Sequence, residues 1–156
     1  MKKNEAKTLM SQSELAEEAI KRIKNSHIMR KEMPAVLVAH LFAIGSIESD
    51  SERIIWGTAE QVDSALFDGF SYVALGHLHR FQQAAENAYY SGSPLAYSFS
   101  ESGTQKNFLK VKINGINSKA EITPIPIVPL HKVVSLAGSF EDFFNQEKNQ
   151  CKSGKV

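Results

Sequence analysis

Three of the five histidines in this chain follow apolar runs. His40 ends the run Ala35-Val36-Leu37-Val38-Ala39. His77 and His79 follow Phe70-Ser71-Tyr72-Val73-Ala74-Leu75-Gly76, with Leu78 between them. Neutral imidazole is a common metal ligand, and its second nitrogen can be oriented by a neighbour. In extended backbone, residues two apart point the same way, ~6.6 Å apart along the chain. The ions of a binuclear hydrolytic centre lie about 3.5–4 Å apart. On that geometry His77 and His79 would each reach a different ion. Gly76 would let the backbone approach closely and turn without a Cβ in the way. A lone histidine at a strand end is ordinarily a hydrogen-bonded rim residue. Three of them, each after an apolar strand, favour a metal site. His27 and His131 have no such setting and read as surface residues.

The elements that must carry these side chains are legible in outline. Short unbroken apolar runs rich in valine read as strands buried on both faces, which makes 35–39 and 70–75 strands. Ser11 with Glu14 forms a capping box, and Leu15, Ala16, Ala19, Ile20 and Ile23 follow at helical spacing, so 11–25 reads as an amphipathic helix. Residues 41–57 read as a polar loop. Thr58 with Gln61 would cap a short helix. Ala88-Tyr89-Tyr90 reads as a short strand and Ser91-Gly92-Ser93-Pro94 as a turn whose N–H groups could meet a phosphate. Two alternating segments, Phe108 to Ile113 and Ala120 to Ile127, flank Gly115 and predict an antiparallel hairpin. Pro124, Pro126 and Pro129 put its second strand near an edge. Tyr89, Tyr90, Tyr97 and Phe99 read as packing residues. The expected class is α/β, in which ligands bind outside the carboxyl ends of the strands. Residues 1–32 form an N-terminal helical segment, 33–142 the main unit and 143–156 a polar tail.

Composition narrows the class without reaching function. The chain has 156 residues, 42% apolar and 22% charged, with a net charge of +1. That is a globular balance, and it neither requires nor forbids nucleic acid. No apolar run approaches the ~20 residues of a membrane span. The basic start, Met1-Lys2-Lys3-Asn4-Glu5, precedes no apolar signal core. Cys151 is the single cysteine, so no disulfide framework exists and a cytoplasmic location is expected.

Longer strings carry a resemblance. Val38-Ala39-His40, Ser49-Asp50-Ser51-Glu52-Arg53, the string from Phe67-Asp68-Gly69 through Gly76-His77-Leu78-His79, and Tyr90-Ser91-Gly92-Ser93-Pro94-Leu95-Ala96-Tyr97-Ser98-Phe99-Ser100-Glu101 resemble the SbcD family of DNA repair nucleases. Lys106, the hairpin and Ile125-Pro126-Ile127-Val128-Pro129-Leu130 continue the likeness, which spans about residues 33–142. The Gly-His-x-His element alone indicates only the calcineurin-like metallophosphoesterase superfamily. The strings at 67–79 and 90–101 narrow it to SbcD.

The resemblance implies a metallophosphoesterase-type β-sandwich flanked by helices and two divalent metal ions, usually manganese. It assigns His40 and His77 to one ion and His79 to the other. It implies a DNA substrate, an SbcC-type ATPase partner, a homodimer when complete, and no membrane. The family's bridging Asp, Asp-x-His and Gly-Asn-His elements, the last with the catalytic histidine, have no counterpart here. Asn25-Ser26-His27 does not substitute, because it carries an inserted residue. The chain therefore reads as the C-terminal half of a nuclease domain, inactive alone. Two alternatives stay open: a metallophosphoesterase for another phosphoester, and a truncated remnant without enzymatic function.

Overall fold

The computed structural model describes residues 11–47, 61–116, 118–135, 138, 139 and 141. Helix α1 spans Gln12–Lys24, and the Ser11 side chain accepts a hydrogen bond from the Glu14 N–H, so the capping signal is met. Its buried positions are Ala16 and Ile20 only, while Leu15 and Ile23 of the expected stripe are exposed. Ile20 nevertheless joins the main core, so the helix reaches the core through that residue.

Four strands form one mixed sheet in the order β1-β2-β4-β3: β1 Val36–His40, β2 Tyr72–Gly76, β3 Gln82–Ala85 and β4 Ala88–Tyr90. β1 and β4 flank β2 in parallel, and β3 pairs with β4 antiparallel. Central β2 matches the reading of a strand buried on both faces, with Val73 fully buried and Tyr72 and Leu75 nearly so. β1 does not. Leu37 is buried, but Val36 and Val38 are 51% and 79% exposed. Among the described residues β1 pairs only with β2, at the sheet's edge. An unbroken apolar run there resembles an interior strand in composition, not in surroundings.

The core joins Leu37, Phe42, Ala43, Phe67, Phe70, Val73, Leu75, Leu78, Ala88 and Tyr90. The segment after β1 is thus less polar in role than expected. Phe42 and Ala43 are buried, and Tyr90 ties them down: its hydroxyl donates to the Leu41 carbonyl and accepts from the Ala43 N–H, both at 2.8 Å. The capped helix expected at Thr58 falls outside the described residues. A 3-10 helix occurs at Ser64–Phe67, capped by Asp63. The predicted hairpin is present as β5 Asn107–Lys112 against β6 Glu121–Pro126, in its own two-stranded sheet, where every strand is an edge and Pro124 and Pro126 are tolerated. The architecture is mixed α/β. No helix among the described residues is long and apolar enough to cross a membrane.

Candidate functional site

Parallel pairing places the carboxyl ends of β1 and β2 side by side, with His40 in register with Gly76. The His40 ring lies over Gly76. A Cβ built on that glycine would come within 2.9 Å of His40 Nδ1. Gly76 is therefore a cradle for a neighbouring side chain. It is not where the chain turns. The turn falls on His77, whose φ of 106° is the positive value among non-glycine residues described. Such backbone is rare for a side-chain-bearing residue and concentrates at functional sites. The extended geometry assumed for His77-Leu78-His79 is corrected accordingly: β2 stops at Gly76, and Leu78 turns inward at 2% exposure.

The strand ends bring two of the three histidines together. The His40 and His77 rings meet edge-on, with centroids 5.4 Å apart and planes at 85°. Phe42 packs against His77 at 5.8 Å. His79 is held by a different set of groups. Its Nδ1 lies 3.1 Å from Glu101 Oε1, and Tyr97 packs on its ring at 5.3 Å. Its backbone carbonyl accepts from the Ser93 N–H at 3.2 Å and from Lys106 Nζ at 3.0 Å.

Glu101 and Lys106 form a buried ion pair, 1% and 7% exposed. Glu101 closes a 3-10 helix spanning Phe99–Glu101. Lys106 donates to Glu101 Oε2 at 2.5 Å, to Ser93 Oγ at 2.8 Å and to the His79 carbonyl, so its three N–H bonds each find an acceptor. Buried charges occur where they are paired and hydrogen-bonded, and both conditions hold here. The turn at 91–93 completes the clamp. Gly92 has φ 83°, and a Cβ there would sit 2.7 Å from the His79 carbonyl oxygen. That turn thus grips the backbone of His79 through the Ser93 N–H.

Reading residue types one at a time did not assign Glu101 or Lys106 a part. The only signal was two opposite charges in a stretch otherwise made of Ser, Gly, Thr and Gln. The packing role expected for four aromatics holds for Tyr90, which is buried, and for Tyr89, which is half-buried and stacks on Tyr72 at 6.2 Å. Tyr97 and Phe99 are exposed, 64% and 74%. His27 and His131 are exposed, as read.

As a donor set, two touching imidazoles and a third backed by a carboxylate suit a borderline ion such as iron or zinc, and manganese would need carboxylate ligands in addition. Among the described residues no group of three or more His, Cys, Asp or Glu side chains is gathered to hold an ion. Three histidines alone also fall short of the coordination two ions require. Glu101 engages His79 and Lys106, as a supporting carboxylate does. No protein-family model matches this chain.

Proposed function

We propose that this chain supplies one half of a binuclear metal site for phosphodiester hydrolysis, of the kind found in SbcD-type DNA nucleases. What carries the reading is the contact of His40 and His77 across the carboxyl ends of two parallel strands, with a strained backbone at His77. Strain persists only where surrounding structure imposes it, and it marks sites more often than scaffolds. The likeness of residues 33–142 to the SbcD family supports manganese as the metal, DNA as the substrate, an SbcC-type ATPase as partner and a metallophosphoesterase fold for the completed domain.

In this reading His40 and His77 hold one ion and His79 the other. Bound there, the ions would supply an activated water and neutralise charge on the phosphoryl oxygens. The chain's own part is positional. Strand register and the missing Cβ at Gly76 set the His40 ring, the turn sets His77, and Glu101 sets His79. The remaining ligands and the proton-transferring histidine would come from a segment carrying the Asp-x-His and Gly-Asn-His elements.

The test is cleavage of linear duplex DNA in manganese, first by this chain and then with that segment supplied. We expect no cleavage by the chain alone and manganese-dependent cleavage by the completed protein. His40→Ala, His77→Ala and His79→Ala should each lower the rate at least ~100-fold, since ligand geometry sets water activation and phosphate orientation. His27→Ala and His131→Ala should stay within about twofold, as surface changes ordinarily shift stability by only ~0.5 kcal/mol. Metal-dependent cleavage by the chain alone, lost in His77→Ala, would refute the half-site. Dispensable His77 and His79 would refute the site altogether.

A further inference from the structure

We infer that Glu101 is a positioning residue: held by Lys106 and Ser93, its buried carboxylate locks His79 in the Nδ1–H tautomer, so that Nε2 is the ring nitrogen that carries the donor lone pair. The inference rests on reading His79 as a metal ligand, but the tautomer itself does not depend on any metal.

The chemistry follows from the partners. Glu101 Oε2 is ion-paired to the Lys106 ammonium. A carboxylate so paired is an acceptor only. Its other oxygen, Oε1, lies 3.1 Å from His79 Nδ1. Two acceptors cannot share a hydrogen bond, so Nδ1 carries the proton. In the neutral ring the lone pair is then on Nε2. Ligating histidines are held in this way by a carboxylate on the nitrogen away from the metal, which fixes the tautomer and raises ligand basicity.

The same cluster fixes the rest of His79. Lys106 and the Ser93 N–H both hold its carbonyl, and Gly92 lets the 91–93 turn come close enough to do so. Backbone and ring are therefore held by one network whose charged members are almost wholly buried. A buried ion pair is a poor source of stability. Its placement behind one histidine has a better explanation in orientation.

The experiment is long-range proton–nitrogen NMR on histidine-labelled protein without metal, His79 being identified by its loss in His79→Asn. We expect Nδ1–H for His79 in the native chain. Glu101→Gln keeps the shape and removes the charge. It should shift His79 towards the Nε2–H form while leaving the His40 and His77 signals in place. With the missing segment supplied, it should also weaken zinc binding at His79 about 10–100-fold, the usual cost of losing such a partner. An Nε2–H tautomer in the native chain overturns the inference, and that measurement needs no variant to fold. Retention of Nδ1–H in a folded Glu101→Gln protein also overturns it, because the carboxylate would then not be what sets the ring. Zinc that leaves Nε2 of an Nδ1–H His79 unmoved once the segment with the Asp-x-His and Gly-Asn-His elements is supplied would sink the metal reading instead, and the two failures are separate.

Discussion

Two glycines separate the two regions of the candidate site. Gly76 faces the tip of a side chain, the His40 ring, whereas Gly92 faces backbone, the carbonyl of His79. His40 is exposed and can swing aside. The chain at 79–81 cannot move without disturbing Lys106, Ser93 and Glu101. The His40–His77 region is thus set by strand register and ring contact. The His79 region is set by a closed polar network. The first should be adaptable and the second rigid, although both would serve one site.

The sharpest break is Glu101→Ala. It leaves the Lys106 ammonium buried beside a lost counter-charge, which costs about 3–5 kcal/mol for a pair of this kind. Urea unfolding would measure it. The double change Glu101→Leu with Lys106→Met should recover most of that loss, because an apolar pair of similar volume removes both charges. A double variant as unstable as the single one would mean that packing, not charge, dominates the cluster.

Gly92→Ala comes next. Its φ of 83° disfavours any side chain, and the Cβ has no room against backbone. The two effects should cost about 2–3 kcal/mol. A change below ~1 kcal/mol would show that the 79–81 segment yields and that the second region is not rigid. Gly76→Ala should cost within ~1 kcal/mol, because alanine suits a strand better than glycine and offsets part of the crowding. Its signature is local: the His40 ring should leave His77, read as lost cross-ring proton contacts. Unfolding comparable to Gly92→Ala would erase the contrast between the regions.

His77→Gly should have the smallest effect on stability. It relieves a backbone conformation worth about 1–3 kcal/mol of strain and adds about 0.5–1 kcal/mol of chain entropy. The unfolding midpoint should stay level or rise slightly even though a ring is deleted. A loss above ~2 kcal/mol would make His77 a packing residue held for stability, and its positive φ would no longer mark a site.

Much of the scaffold was readable because local chemistry decides it. The Ser11 cap, the apolar spacing of Ile20 and the alternation of 108–113 act over a few residues. What failed was neighbourhood. Val38 is as apolar as Val73, yet one faces outward on an edge strand and the other is buried, and no local pattern separates them. β3 begins Gln82-Gln83, and only its pairing with β4 makes it a strand. The histidines stood out by type and position. Glu101 did not, because an acidic residue in a serine-rich turn reads as solvated until Lys106, five residues on, is brought beside it.

The pairing of Val36 with Tyr72 also has a kinetic consequence. A parallel pair cannot form through a tight turn, so β1 must wait until the intervening chain closes a long loop. The β5–β6 hairpin pairs Lys112 with Glu121 and can zip locally, on the microsecond scale of isolated hairpins. Lys106 lies at the base of that hairpin, where its carbonyl accepts from the Ile127 N–H. The support for His79 can therefore be half-assembled before His40 reaches His77. Pulse-labelled amide exchange during refolding should protect 107–126 ahead of 36–40, and the reverse order would place the nucleus in the parallel sheet.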